Sequence, residues 1–359
     1  MNRILSAVLM LGFAAGGSPA DQEQPQAKRA RLAYISNIMS HTVSVIELDS
    51  LSWLRDLHLG QYPIFSSLHP HDPTKLIVAL HNYERRDGEG AVVLVDLRTE
   101  KVIKRVSFPG ASMPSGFVYD GKRDRIYIAD ENLHRVFIMD GTTLDIISDL
   151  PAGLIPVHVG LCPDAKWLVV TNRKSADLYV YDLDNILRSA KDGIYTIHLG
   201  PSPGCAWDSD ESGRFSHPID VGFCNEPDVC LVTDYNTMEL LFVDIAKQEI
   251  IDRVAFDRRP FDIAFDHRKT LAFVCHVDGD AISVVDLGKR KIQATIQGLA
   301  SNPIHCELDE ENSRLVAACW GGGQTGGVYI IDLKSYRILK YLPLEGAKAS
   351  IGITVANAP

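Results

Sequence analysis

The sequence predicts an all-β fold: a seven-bladed β-propeller of four-stranded blades, its ring closed by pairing the N-terminal and C-terminal strands. Three observations carry this. A short β-branched or aromatic run ending in an acid recurs seven times, at Glu47, Asp96, Asp140, Asp182, Asp244, Asp286 and Asp332. The gaps between these acids are 49, 44, 42, 62, 42 and 46 residues, a period with room for several strands. The two ends of the chain hold the two halves of one further strand pair.

In chain order, the first segment reads as a leader. Arg3 precedes an apolar run from Ile4 to Ala15, and Ser18-Pro19-Ala20 places small residues before a cut at Asp21. Residues 1–20 are therefore expected to be a signal peptide, and the run is too short for a transmembrane helix. No cysteine follows it to carry a lipid. Residues 21–30 are expected to be a polar, disordered stretch. Its Lys28-Arg29-Ala30-Arg31 cluster, which reaches the first strand, reads as solvated charge. The propeller is expected over 31–357, in a chain that is periplasmic or secreted once cleaved.

Each acid-ended run reads as the third strand (C) of a blade, and the run after the next turn as the outermost strand (D). Trp53–Leu59 and Lys291–Ile296 are examples. Before each C strand comes an inner A–B pair, clearest as Pro260–Phe265, a turn at Asp266–Lys269, then Leu271–Cys275. Similar pairs start at Pro63, Pro114, Pro156, Pro218 and Pro303. Proline suits the first residue of a strand, where no ladder donor is lost. That leaves Leu32–Ser36 as a B strand without an A strand, and Ser350–Val355 as an A strand without a B strand. Joining them removes the open edge. One short helix is expected near Leu183–Ala190.

Tyr34-Ile35-Ser36-Asn37 followed by Thr42-Val43-Ser44-Val45-Ile46-Glu47 resembles the YVTN β-propeller repeat, and Val170-Thr171-Asn172 and Val232-Thr233-Asp234 are further approximations. The resemblance covers about residues 31–356. It implies the fold, while propellers of this kind include binding proteins and enzyme subunits alike. Pro303-Ile304-His305, the acidic turn after it and Ala318-Cys319-Trp320-Gly321 are similar to one blade of the selenium-binding protein and methanethiol oxidase family. That likeness implies copper and thiol oxidation, on one blade only.

Composition narrows the function classes. The formal net charge of −10 argues against nucleic acid, which needs Lys and Arg to neutralise phosphates. No C-x-x-C-H occurs, so covalent c-type haem is not expected. No G-x-S-x-G occurs either, and no nucleophilic triad is recognisable. Seven cysteines leave at least one thiol unpaired within the chain. Cys224 and Cys230 flank a tight connection, where a cross-hairpin disulfide competes with two buried free thiols. Cys275 and Cys319 are expected to face between sheets.

The candidate site lies where the D–A and B–C connections meet, the top face, since ligands favour the concave mouth of the channel. Two positions per blade are expected to point there. Two residues after the A-strand proline stand His158, Asp220, Asp262 and His305; at the end of strand B stand His81, Asp130, Asp234, His276 and Trp320. The long D–A insertion 201–217 adds Trp207 between acids, and 82–90 adds Arg85. The Gly-rich 321–327 reads as a flexible turn. These residues support three functions. The first is an exported module that binds a small molecule or protein through its top face. The second is a copper, zinc or iron enzyme, redox or hydrolytic, with His158, His276 and His305 as metal ligands beside Asp220 and Asp262. The third is a metal-free, lactonase-like or lyase-like enzyme using His and Asp as acid and base. A hydrated polar channel without chemistry is the plain alternative to all three.

Overall fold

A computed structural model of the chain describes residues 29–82, 89–186, 193–202, 215–300, 302–321 and 326–359. They form seven four-stranded antiparallel sheets arranged as a ring of blades. Blade one holds β1 (Arg31–Asn37), β2 (Thr42–Glu47) and β3 (Ser52–Leu57), with β28 (Ser350–Asn357) as its innermost strand. Blade two is β4–β7 (Pro63–His69, Asp72–Leu80, Ala91–Asp96, Lys101–Ser107). Blade three is β8–β11 (Pro114–Asp120, Arg125–Asp130, Arg135–Asp140, Ile146–Pro151). Blade four is β12–β15 (Pro156–Leu161, Trp167–Asn172, Asp177–Asp182, Ile194–His198), with a one-turn helix, Leu183–Ile186, between its last two strands. Blade five is β16–β19 (Pro218–Phe223, Val229–Asp234, Glu239–Asp244, Glu249–Ala255). Blade six is β20–β23 (Pro260–Phe265, Leu271–His276, Ala281–Asp286, Lys291–Gln297). Blade seven is β24–β27 (Pro303–Asp309, Arg314–Cys319, Gly327–Asp332, Ile338–Pro343).

The six prolines begin six inner strands as expected, and the seventh inner strand is β28. It pairs with β1 from Arg31↔Asn357 to Asn37↔Ser350, so the two ends of the chain make one blade. Arg31 adds a cross-seam tie, its guanidinium 3.0 Å from the buried carboxylate of Asp309 in blade seven.

The recurring acid has a local cause. The carboxylates of Asp96, Asp140, Asp182 and Asp332 each accept backbone N–H bonds from the two residues that turn the chain into strand D. Asp244 and Asp286 do the same for Lys247 and Lys289. An Asx turn satisfies backbone donors that a two-residue reversal would leave open. These bonds favour the charged form, and the carboxyls of Asp96 and Asp140 sit below their ordinary pKa, backbone hydrogen bonds to Thr99 and Thr143 being the main cause.

The core is a set of seams between blades rather than one centre. Tyr34 packs in a cluster with Leu76, Ile77 with Ile126, Tyr127 with Leu168 and Val169 with Val232. Leu231 shares the next cluster with Ala272, Phe273 with Leu315, and Val316 with Ala33, which returns to blade one. Alternation along each strand sends successive side chains to opposite seams. The same rule decides the cysteines. All six described cysteines are thiols, Cys224 and Cys230 included. Cys224 packs in the seam between blades five and six and Cys230 in the seam between four and five, so the two face opposite sides of their sheet. Cys275 and Cys319 lie between blades six and seven, facing between sheets as expected. Cys205 lies outside the described residues.

Candidate functional site

The inner strands share one irregularity that builds the channel. In blades two to seven the A–B register shifts just after the proline, as between Pro156 and Val159 or Pro218 and Val221. A bulge leaves residues off the ladder and re-aims their side chains. Here the two residues after each proline turn toward the axis. The first of them forms an apolar collar of Ile64, Val157, Ile219, Phe261 and Ile304, completed by Ile351 of β28. The second forms a ring beneath it that is polar in four blades, with His158, Asp220, Asp262 and His305, and carries Phe65 in blade two and Gly116 in blade three.

The collar separates two chambers. Above it, a cavity of 390 Å³ opens to the top face and is lined by His81, Glu131, Arg173, Tyr235 and Trp320. Below it, a cavity of 640 Å³ has the polar ring at its inner end and opens to the bottom turns through Arg31, His267, Glu310 and Glu311. A neck of 90 Å³ lies between them.

The upper ring has a simple register rule. Residues His81, Glu131, Arg173, Tyr235, Val277 and Trp320 each donate a backbone N–H to the carbonyl of the residue before the inner-strand segment, for instance Glu131 to Met113 and Trp320 to Asn302. The position before it is buried in the blade. Asp130 accepts from the backbone N–H of Met113, Asn132 and Leu133. Asp234 accepts from His217 N and from Ser216 Oγ. His276 is fully buried, its Nε2 2.8 Å from Ser283 Oγ and its ring 4.8 Å from that of Phe256. Burial pushes its imidazole down to about 4. Asp130 and Asp234 thus hold the top loops and His276 is bonded within its own blade, whereas His81 and Trp320 line the mouth. Glu131, Arg173 and Tyr235 line it too and were not singled out from the sequence.

Electrostatics in the upper ring are paired. His81 Nε2 lies 3.2 Å from Glu131 Oε1. Burial opposes the charge on Glu131, yet His81, Arg173 and Ser115 together hold its carboxyl below the ordinary value. The Nε of Arg173 is buried and has no hydrogen-bond partner among the described residues.

The lower ring is a chain of four groups. His158 Nδ1 is 2.7 Å from Asp220 Oδ1, and His305 Nε2 is 3.4 Å from Asp262 Oδ1. Asp220 also accepts from Val221 N and from Ile263 N of the next blade. Asp262 accepts from Cys306 N of the next blade at 3.0 Å. Burial works against a charge on His158 and on Asp220, but their mutual attraction wins: the imidazole is raised and the carboxyl lowered. Asp262 has no such cation. Burial, then the adjacent charge of Asp220, holds it well above the carboxylate range, while burial lowers His305 to about 4. Thr171 and Thr233, the threonines of the Val-Thr-Asn and Val-Thr-Asp motifs, support this ring. Each accepts the N–H of the ring residue in its own blade, His158 or Asp220. Each also donates to a carbonyl of the next blade, Ile219 or Phe261.

The expected site is therefore divided. His158, Asp220, Asp262 and His305 come together, but below the collar. His81 and Trp320 stand above it. His158, His276 and His305 are not brought together, because strand alternation turns His276 into its own blade. Trp207 and Arg85 lie outside the described residues, as does most of the insertion 201–217. Among the described residues, one trio of potential metal ligands has donor atoms within 4.8 Å of one another: Asp262, Cys275 and Cys306. No described helix is long and apolar enough to cross a membrane.

No protein-family model matches the chain, and no curated protein matches it. Solved structures do. A dihydro-heme d1 dehydrogenase, NirN, solved in complex with DHE, superposes with a TM-score of 0.60 at 13% identity, covering 90% of this chain and 74% of that one. At that identity the likeness is one of fold, and it is to a seven-bladed β-propeller of this kind that the chain conforms.

Proposed function

We propose that this chain is a binding module that takes a small molecule into the upper chamber. The observation that carries the reading is the composition of that chamber, in which the charged groups of Arg173 and Glu131 stand among isoleucine and aromatic walls. The Arg173 guanidinium offers forked donors that suit a ligand carbonyl or carboxylate. The rest of the chamber suits such a ligand. Its volume of 390 Å³ is in the range of small-molecule sites, and its walls are mostly isoleucine and aromatic with few polar groups. Tyr235, Phe261 and Trp320 offer faces for a flat apolar body. A fold neighbour solved in complex with DHE is in keeping with a ligand site on this architecture.

We place the chain in the YVTN type on its repeat motifs and the threonine stitching they encode. We also assign it to an exported compartment, with Asp21 as the mature N-terminus, on the leader pattern of residues 1–20. The test is native mass spectrometry of the full chain purified from its own source. A bound small molecule is expected, with its mass lost in Arg173→Ala and Trp320→Ala and kept in His276→Gln. A ligand retained by both upper-chamber variants would overturn the reading. Intact mass of the same sample checks the cut before Asp21.

A further inference from the structure

We propose that Asp262, Cys275 and Cys306 bind one thiophilic divalent ion of the zinc class in the seam between blades six and seven. Three strands bring them together. Asp262 comes from β20, Cys275 from the end of β21 and Cys306 from β24 of the next blade. One donor atom from each lies within 4.8 Å of the others, and all three residues are buried. The seam around them is apolar, with Phe273, Leu315 and Ile331 in the same cluster.

Ordinary packing explains the thiols but not the acid. A buried carboxyl needs a cation, a metal or a proton to be tolerated. Asp262 has no Lys or Arg partner among the described residues; its polar neighbours are Cys306 N, His305 and Asp220. Two thiols and a carboxyl are three of the four ligands of a tetrahedral zinc site. His305, beside Asp262, could supply a fourth. Its Nε2 is 3.4 Å from Asp262, and its Nδ1 is buried without a hydrogen-bond partner among the described residues. The carboxylate favours zinc(II) over copper(I), which prefers an all-soft set. Asp262, His305 and Cys306 also belong to the wall of the lower chamber, so the ion would sit beside that space. Binding exchanges the ion for the two thiol protons and the proton of the Asp262 carboxyl, all released to solvent. No electron changes hands.

The test uses the full chain, reduced and freed of metal by chelator, titrated with cobalt(II) as a spectroscopic stand-in for zinc. The expected result is one equivalent bound, with thiolate-to-cobalt charge transfer in the near ultraviolet and the intense visible bands of a tetrahedral site. Zinc should bleach both. Cys306→Ala should halve the charge-transfer band and Cys275→Ala/Cys306→Ala should abolish it, while Cys162→Ala leaves it unchanged. Asp262→Asn, which keeps both thiols and the volume of the core, should weaken binding about tenfold or more. The proposal is overturned if cobalt binds without charge transfer or if the band survives in the double variant. It is also overturned if copper(I) binds and zinc does not, or if peptide mapping finds Cys275 and Cys306 joined as a disulfide.

Discussion

His158 Nδ1 and Asp220 Oδ1 meet at 2.7 Å across the seam between blades four and five. The pair sits at the same level in two neighbouring blades because the same bulge follows Pro156 and Pro218. Asp220 then reaches Ile263 in blade six, and Asp262 reaches Cys306 in blade seven. Ring polarity and ring integrity are therefore one property over this half of the channel.

Replacing His158 by Gln leaves Asp220 with its two backbone donors but without its cation. Removing one partner of a buried pair costs about 3 kcal/mol at the low end of the usual range. Chemical denaturation at neutral pH should show that loss, with the slope of the transition unchanged. A loss within error of zero would mean that the pair contributes little net stability.

Thr171 holds His158 N and Ile219 O with one hydroxyl. Thr171→Val keeps the shape and removes both bonds. Leaving a buried donor and acceptor open should cost about 1–3 kcal/mol each at most, and hydrogen exchange should quicken at His158 in particular. Unchanged exchange there would show that the hydroxyl is not the support we assign.

His69 gives a pH dependence that can be signed. It is buried, its Nδ1 accepts from His71 N and its Nε2 is 3.2 Å from Thr142 O in blade three. Burial lowers its pKa, more than the Thr142 carbonyl raises it. The folded state therefore prefers the neutral ring, so this stability is present above about pH 6.5, the ordinary value, and is lost as pH falls below it. Wild type should lose stability on acidification faster than His69→Gln. Parallel curves would remove His69 as the cause.

Truncation after Gly346 removes β28 and leaves β1 without its inner neighbour and Ile351 and Ile353 out of their clusters. The whole ring should melt at a lower temperature in a single transition, because every other seam depends on closure. A truncated chain as stable as the full one would show that the other six blades stand alone.

Much of this was legible because the repeat fixes it. The acids mark C–D turns, where Asx bonds need them, and the prolines mark the first residue of each inner strand. The level of the site was not legible. A bulge is not written in residue type, so the position two after the proline reads as facing the mouth, whereas the extra residue carries His158, Asp220, Asp262 and His305 under the collar. At the end of strand B, Pro260 pairs with His276 and Pro218 with Asp234, which places the mouth one residue later, at Val277 and Tyr235. Reading that pairing from the sequence would have singled out Glu131 and Arg173.

The neck between the chambers holds 90 Å³ and is walled by the apolar collar. Anything larger must enter each chamber by its own door, one on either face of the disc. Occupants of the two rooms would thus not compete, and a partner that sealed one face would leave traffic through the other untouched.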